Sequence, residues 1–489
     1  MDQAEETAEK SMPEPPPTRA RQQIAGGESS HGARQTPPAR NSAAAAQPSA
    51  TGQPSATGRP GAAVNPTTRA REAIIVMTLA AVQFITIVDF MVIMPLGEQL
   101  MESLGLEISE FGFVVSSYTL AGGIAGLIAS ALIDRLDRKV AFIAVDAGFL
   151  VGTLLCGLAN TYATLLLARL VTGAFGGILG GMAMSIVGDI FPEERRGRAT
   201  GALMTGFGLA SAGGVPLGLH LGITYGWQFP FIALAALGAP ILLIAAATLP
   251  RMRGHLKTRA TDEHAFWTMF ESFAHPNHLR AFALVVSLMF AGFVVFPFIS
   301  QYLVRNIGVP QDKLFWSFIA GGGATLFVMP AVGWLADRYG KLRMFRIVAP
   351  LSAVITLAIT CYSSASVFVA LALVAMVMVT NSARMVPAMA MITSSVEPHR
   401  RGGFLSANSC VQHLALGIAA SIGGLIVTAD EGGPVLNYPI VGGLSAASTL
   451  ISLWLAGRLR VIGPEKELTT TQALAAGAEG MYDAEEPVM

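Results

Sequence analysis

Long apolar segments alternate with short polar loops along most of the chain. From residue 71 onward, twelve apolar segments are long enough to cross a membrane as helices. The predicted helices cover residues 73–97, 111–133, 139–158, 162–190, 199–222, 227–249, 279–304, 315–336, 343–363, 366–395, 403–428 and 438–459. The pattern therefore predicts an all-α, multi-pass membrane protein with twelve transmembrane helices.

The loops between the predicted helices alternate in charge. Lysine and arginine crowd the loops on one side, as around Arg138, Arg196 and Arg400, whereas the other side has only Arg305 and Lys313 near helix ends. We call these two sides the basic end and the opposite end. Because basic loops are retained in the cytoplasm, we expect the basic end and both termini to be cytoplasmic.

The segments outside the apolar helices have a different composition. Residues 1–70 are rich in Pro, Ala, Gly and Ser and are predicted to form a disordered cytoplasmic tail, and residues 461–489 form a second, acidic tail. Residues 251–278 form the longest loop, a cytoplasmic linker. One helical face of this linker carries Phe266, Trp267, Phe270 and Phe273. These aromatics indicate an interfacial helix, which either has a role of its own or passively anchors the linker.

The chain repeats itself at long range. ALIDRLDRK at 131–139 returns as WLADRYGKL at 334–342, 203 residues later, and an Arg-Arg-Gly triplet returns after 205 residues. The repeat predicts two pseudo-symmetric six-helix bundles, residues 71–250 and 279–460.

Composition narrows the range of functions. Apolar residues make up 52% of the chain and charged residues 13%, about half the charged share of a soluble protein. The three cysteines, Cys156, Cys361 and Cys410, lie inside apolar segments without metal-ligand spacing. No Ser-His-Asp, metal or nucleotide motif is present, so we expect no enzyme activity, no cofactor or metal, and no nucleic-acid partner.

Within residues 165–218, one charged residue, Arg169, lies inside an apolar segment. Arg169, Gly173, Gly177 and Gly181 are spaced by four, so they share one face of the fourth predicted helix. An arginine in an apolar segment is expected to face protein or a water-filled cavity, and the glycines let another helix approach closely. Arg169 is therefore either a transport-pathway residue or a structural hydrogen-bond donor.

Asp89, in the first predicted helix, is a second charge inside an apolar segment, and a pairing with Arg169 is what the family resemblance described below implies, because helices 1 and 4 of that family line one cavity. From the predicted helix ends, both residues lie roughly 10–12 Å below the opposite end, at 1.5 Å per residue. If the environment of the pair changes as a cavity opens and closes, Asp89 could load and release a proton. The alternative is a permanent structural salt bridge. His413 is the next candidate for proton coupling.

Other polar residues in the apolar helices are candidates for a cavity wall. They are Gln83, Tyr118, Gln301, Tyr302, Asn381, Arg384, Asn408 and Gln412. Arg384 is not the repeat equivalent of Arg169, because an offset of 205 residues places Val374 there. Each of these residues could instead bond a neighbouring helix.

Two motifs in this stretch carry a family resemblance. RLVTGAFGG, which begins at Arg169, resembles the arginine-glycine motif of helix 4 in the major facilitator superfamily. GLASAGGVPLG resembles the glycine-proline motif of helix 5 in its proton-coupled efflux members, with Gly214, Pro216 and Gly218 as packing residues. Val215 separates Gly214 from Pro216, as in the arabinose-efflux-like permeases.

The repeated hairpins also resemble a motif of this superfamily, the loop that latches the two halves together in the outward-facing state. The resemblance assigns a latch role to Asp134, Arg135, Arg138, Asp189, Asp337, Arg338 and Lys341, with Asp189 as the partner of Arg138. The alternative is that these charges only fix the topology.

The resemblance implies a function as well as a fold. It implies a monomeric transporter of the bacterial inner (plasma) membrane that moves a small-molecule substrate, such as a drug, sugar or metabolite, by alternating access. Export coupled to proton influx is expected. Proton-linked uptake, uniport, and a receptor or scaffold without transport are the alternatives.

Overall fold

The computed structural model describes residues 66–132, 136–252, 271–364, 366–397, 400–429 and 433–460. Over these residues the protein is almost entirely helical, and twelve helical spans are long and apolar enough to cross a membrane, which confirms the predicted fold. Most of the two tails and of the linker lies outside the described residues. This includes Phe266, Trp267 and Phe270, whereas Phe273 packs its ring against Phe282.

Six spans form the first half. Its helices are α1 (Pro66–Val92), α2 (Gly97–Leu104), α3 (Ile108–Leu132), α4 (Arg138–Gly157), α5 (Tyr162–Ile190), α6 (Glu193–Leu209), α7 (Val215–Tyr225) and α8 (Phe229–Thr248). Polar caps start two of them. The Asp137 side chain accepts a hydrogen bond from the Lys139 amide at the start of α4, and Thr161 and Thr164 form a capping box at the start of α5.

Six further spans form the second half. Its helices are α9 (Pro276–Phe293), α10 (Ile299–Arg305), α11 (Gln311–Tyr339), α12 (Lys341–Thr360), α13 (Val367–Thr393), α14 (Arg401–Ile426) and α15 (Tyr438–Arg458). A short 3₁₀ turn, Phe296–Phe298, joins α9 to α10 within one span.

The first helix is shorter than its sequence predicts. We expected it to continue to residue 97, but α1 ends at Val92 and the chain turns before the separate helix α2 begins. Pro95 explains this, because proline lacks the amide that a continuing helix needs. α2 ends in turn at Gly105, whose φ of 65° is left-handed. Asp89 therefore lies three residues from the helix end, where the sequence had suggested about eight.

The fifth and seventh spans are also interrupted, and proline again lies at the interruption. A π-helical turn, Ala210–Gly214, separates α6 from α7, just before Pro216. The seventh span breaks at the turn that contains Pro297. A missing amide shifts the hydrogen-bond ladder at each point, which lets the helix change direction.

The two halves meet along two pairs of spans. α3 packs against α14, and α11 packs against the π-helical turn and α7. Small residues allow both contacts to involve backbone. A Cβ added to Gly112 would lie 2.9 Å from the Gly424 Cα, and one added to Gly322 would overlap the Ser211 carbonyl oxygen.

An ion pair between the halves holds the opposite end closed. At the opposite end, Arg305 Nε on α10 donates to Glu98 Oε1 on α2 at 2.8 Å, which joins the two halves. Nearer the basic end, Gly181, Gly188 and Gly201 face open space, where an added Cβ would meet no other atom within 4 Å.

Candidate functional site

A cavity of about 360 Å³ lies between the two halves. Its volume falls in the range of pockets that hold small organic molecules. The wall is mainly aromatic and methionine side chains. These are Phe90, Met91, Phe207, Met289, Phe293, Phe296, Met329, Met378 and Met385. An apolar molecule of moderate size would therefore fit it.

Few polar residues reach the cavity wall. Of the eight candidates that the sequence offered, Asn381, Arg384 and Gln412 line it. Sequence reasoning missed the smaller polar residues Ser211, Thr325 and Ser382, which also line the cavity. Short hydroxyl side chains are too common in membrane helices to stand out in one sequence.

The structure brings Asp89 and Arg169 together. Arg169 Nη1 donates to Asp89 Oδ2 at 3.0 Å and lies 3.4 Å from the Asp89 backbone oxygen. Both side chains are 0% exposed. The Arg169 guanidinium also lies over the Tyr118 ring, 4.4 Å from its centroid, which is a cation–π contact. The pair is thus a neutral unit sealed inside the first half.

The pair is surrounded by weakly polar groups. Thr153 on α4 lies beside the Asp89 carboxylate, and Cys156 lies near both charges. Cys156 Sγ is in turn 3.5 Å from Thr172 Oγ1 on α5. Four spans therefore converge on the two charges with groups that can donate or accept a hydrogen bond.

An aromatic layer separates the ion pair from the cavity. Phe90, the residue after Asp89, lines the cavity and stacks on Tyr118 with ring centroids 5.2 Å apart. Phe90 also stacks on Phe293 of the second half at 5.7 Å. A change at the ion pair can thus reach the cavity and the other half through Tyr118 and Phe90.

Arg384 on α13 is the buried charge of the second half. It is 2% exposed and lines the cavity. Its Nη1 donates to Thr449 Oγ1 at 3.0 Å and its Nη2 to the Leu288 carbonyl oxygen at 3.3 Å. Its Nε has no hydrogen-bond partner among the described residues. Unlike Arg169, it lies beside no carboxylate in this part of the chain.

The remaining cavity candidates lie elsewhere. The Gln301 side chain lies against Gly97 at the contact between the halves, and Tyr302 donates to the Tyr362 carbonyl oxygen at 2.7 Å. Gln83 lies beside α5, near Gly180. Tyr118 contacts Arg169 and does not line the cavity, and neither does Asn408 on α14. His413, the second candidate for proton coupling, also lies on α14 outside the cavity wall, with its Nδ1 2.9 Å from the Ser409 oxygen.

Glycines of α5 allow α3 to approach closely. A Cβ on Gly173 would overlap the Tyr118 backbone oxygen, and one on Gly177 would lie 2.5 Å from the Gly122 Cα. The close contact between α3 and α5 places the Tyr118 ring next to the Arg169 guanidinium. Gly181 faces open space, so the expectation of close packing is wrong there.

The glycines of the fifth span face α1 instead. A Cβ on Gly214 would overlap Val88 Cγ2, and one on Gly218 would lie 2.5 Å from Val92 Cγ2. Pro216, between them, is buried at the start of α7. These contacts pack the span against the helix that carries Asp89.

The hairpin charges at the basic end form contacts within each half. Arg138 Nη1 donates to Asp189 Oδ2 at 2.5 Å. In the second half, Lys341 Nζ donates to Ser394 Oγ at 3.1 Å, and the repeat offsets of 203 and 205 residues map the first pair onto the second.

The other hairpin residues that the structure describes do not join the halves in this state. Asp337 is exposed and forms no ion pair with the described residues, and Arg338 packs over Trp334 with its guanidinium carbon 5.3 Å from the ring centroid. Asp134 and Arg135 lie outside the described residues.

Comparison with known proteins gives consistent matches. The sequence model of the Major Facilitator Superfamily matches residues 79–382 and, in a second match, residues 281–478. The inner membrane transport protein YdhP of Escherichia coli K12 is 25% identical over 369 residues, which cover 74% of this chain and 91% of that protein. The uncharacterized MFS-type transporter YbcL of Bacillus subtilis is 24% identical over 382 residues, covering 76% and 93%.

Solved structures share the fold. The crystal structure of a D-xylose-proton symporter matches with a TM-score of 0.63 and 17% identity, over 78% of this chain and 97% of that chain. A bacterial homologue of the human lysosomal transporter Spinster matches with a TM-score of 0.60 and 16% identity, over 86% and 99%.

Proposed function

This chain belongs to the Major Facilitator Superfamily, and we propose that it exports a small molecule from the cell in exchange for protons. Secondary transport is what the family relatives support, and the family's members are carriers rather than enzymes. The observation that carries our proposal is the Asp89–Arg169 pair, which lies one aromatic layer from a cavity between the halves.

Asp89 is proposed as the proton carrier. While its carboxylate is ionised, the buried pair is neutral. Protonation leaves the Arg169 charge without its counter-ion in an apolar interior, which is unfavourable unless the surroundings change. A conformation that hydrates or repacks the pair is therefore favoured by protonation, and this links proton binding to the shape of the cavity.

The Glu98–Arg305 ion pair, which holds the opposite end closed, suggests the direction of access. If the basic end is cytoplasmic, as the positive-inside rule predicts, the present conformation opens to the cytoplasm. Switching to the outward-open state must separate Arg305 from Glu98 at the opposite end. The hairpin residues Asp337 and Arg338 are proposed to latch the halves in that second state. We place the protein in the plasma membrane as a monomer.

Proton movement in proteoliposomes tests the proposal. The purified protein is reconstituted with the pH dye pyranine inside, and small organic anions, sugars and drugs are applied one at a time as gradients. If the protein exchanges substrate for protons, substrate added outside should enter the vesicles while protons leave them. The pH of the lumen should therefore rise. A lumen that acidifies would show symport, and substrate flux without any proton movement would show uniport. Either result contradicts the proposal.

A further inference from the structure

If the protein is a transporter, as proposed above, the buried arginine at the cavity wall, Arg384, points to the chemical class of its substrate. We infer that the cavity takes a largely apolar organic anion, whose carboxylate, sulfonate or phosphate group binds Arg384. Arg384 brings a full positive charge to the cavity wall while being 2% exposed. Its protein partners, the Thr449 hydroxyl and the Leu288 carbonyl, carry no negative charge.

The two buried arginines differ in how their charge is compensated. Arg169 is neutralised by Asp89 at 3.0 Å. No acidic side chain among the described residues forms an ion pair with Arg384. A buried charge is stable in an apolar bundle only when paired or hydrated, so an uncompensated cation facing a cavity is a binding site for an anion.

The position that the repeat aligns with Asp89 carries no side chain and lies beside Arg384, although Arg384 is not itself the repeat equivalent of Arg169. Adding the hairpin offset of 203 to position 89 gives 292, and Gly292 occupies that position in the second half. A Cβ built on Gly292 would lie 3.5 Å from Arg384 Nη2, and Gly292 itself lines the cavity. The first half supplies its own carboxylate at this point of the repeat. In the second half the position carries no side chain, and a ligand entering the cavity can reach the guanidinium.

The other residues of the cavity wall indicate the chemistry of the uncharged part of the ligand. Phe90, Phe293 and Phe296 present aromatic surface, and the methionines around them adapt to irregular apolar shapes. Asn381 and Gln412 carry the two amides of the wall, and each can bond a neutral substituent or a second oxygen of the acid. An aromatic or alicyclic acid matches this arrangement better than a sugar, which needs many hydrogen-bond partners.

A purely structural role for Arg384 is the competing explanation. Its two hydrogen bonds hold α13 against α15 and α9. Two neutral acceptors do not require a charged donor, however, and its Nε is unused by the described residues. The structural role predicts no preference for charge in the ligand, so binding can separate the two explanations.

The inference is tested by measuring how three probes that differ in charge bind to the purified full-length protein. The probes are 2-naphthoate, its neutral amide 2-naphthamide and the cation 2-naphthylmethylammonium, with Kd measured from thermal stabilisation in detergent. We expect naphthoate to bind at least about tenfold more tightly than the amide, because a charge-assisted contact replaces a neutral one. The cation should bind most weakly. Equal binding of the anion and the amide would overturn the inference, and this comparison needs no variant.

Three substitutions locate the effect. Gly292→Asp introduces a carboxylate beside Arg384 and should abolish the preference for naphthoate, whereas Gly292→Asn, of nearly the same size, should keep it. Arg384→Gln should equalise the three probes. Retention of the anion preference in Gly292→Asp or Arg384→Gln would contradict the assignment.

The binding measurement stands apart from the test of transport. A protein that binds naphthoate selectively but moves no protons refutes the coupling proposal alone. A proton-coupled transporter that binds the amide as well as the anion refutes only the assignment of substrate class.

Discussion

The Asp89–Arg169 pair puts a carboxylate and a guanidinium in the apolar interior without net charge. Such a pair can serve either as a proton site or as a permanent structural contact. The two roles respond differently to substitution, because only the first needs the carboxylate to change its protonation state during transport.

Asp89→Asn mimics a permanently protonated carboxylate. We expect this variant to lose uphill export, because no proton is exchanged at that site. Substrate-for-substrate exchange should persist, since it needs only the cavity and the rocking of the halves. Proteoliposome counterflow and gradient-driven export, measured side by side with the same substrate, check this prediction.

The structural role gives a different outcome for the same pair. If the pair is structural, Asp89→Asn and Arg169→Gln should each lower the free energy of unfolding by about 3–5 kcal/mol, seen as a lower thermal unfolding midpoint. The double variant should recover most of that stability. Well-folded Asp89→Asn protein that still builds a substrate gradient would rule out Asp89 as the proton carrier.

At the scale of elements, the α3–α5 contact depends on missing side chains. Gly177 lies against the Gly122 backbone, whereas Gly181, one turn further along the same helix, faces open space. We expect Gly177→Ala to destabilise the protein by about 1–3 kcal/mol, since backbone cannot move aside as a side chain can. Gly181→Ala should leave the thermal unfolding midpoint in detergent unchanged or slightly raised. Equal effects of the two substitutions would contradict this packing.

The hairpin between α11 and α12 carries a prediction about switching. Asp337 makes no ion pair with the described residues in the present state, so Asp337→Asn should leave thermal stability and probe binding near normal. Transport should fall, because the outward-open state loses a charge-assisted contact of about 1.5–3 kcal/mol. Asp312→Asn, at the other end of α11 and also exposed, is the control and should transport normally. Full transport by Asp337→Asn would exclude a role in switching.

The helices were predictable from sequence, but their interruptions were not. Twelve apolar segments and the charge of their loops define the spans, because membrane helices must be long and apolar. Whether Pro95, Pro216 or Pro297 bends, shifts or ends a helix depends on tertiary contacts around it. α8 continues through Pro240, for example, while α1 ends before Pro95.

The candidate site was predictable only where charge was involved. Asp89, Arg169 and Arg384 stand out against apolar neighbours, and the first two proved to be in contact. The faces of uncharged polar residues depend on helix rotation, which a single sequence does not fix. Gln301 and Tyr302 illustrate this, because both lie on α10, after the break in the span, and neither lines the cavity.

At the scale of the whole molecule, the distribution of basic loops predicts the orientation in the membrane. Ser103 and Asp312 are exposed at the opposite end, and Arg196 and Arg401 at the basic end. Single cysteines at the first two positions should react with an impermeant maleimide in intact cells, and those at the last two only after permeabilisation. Cys156, Cys361 and Cys410 are replaced beforehand. Labelling of position 196 or 401 in intact cells would reverse the orientation.

The most direct test of the account is whether protonation of Asp89 drives alternating access, and distances between spin labels measure this without any substrate. Labels at Ser103 and Asp312 report the opposite end, and labels at Arg198 and Tyr339 report the basic end. Between alkaline and acidic buffer, we expect the two distances to change in opposite senses. Asp89→Asn should show the acidic distances in both buffers. Two results would contradict this role of Asp89. One is wild-type distances that do not change with pH, and the other is a pH-dependent change in Asp89→Asn as large as that in the wild type.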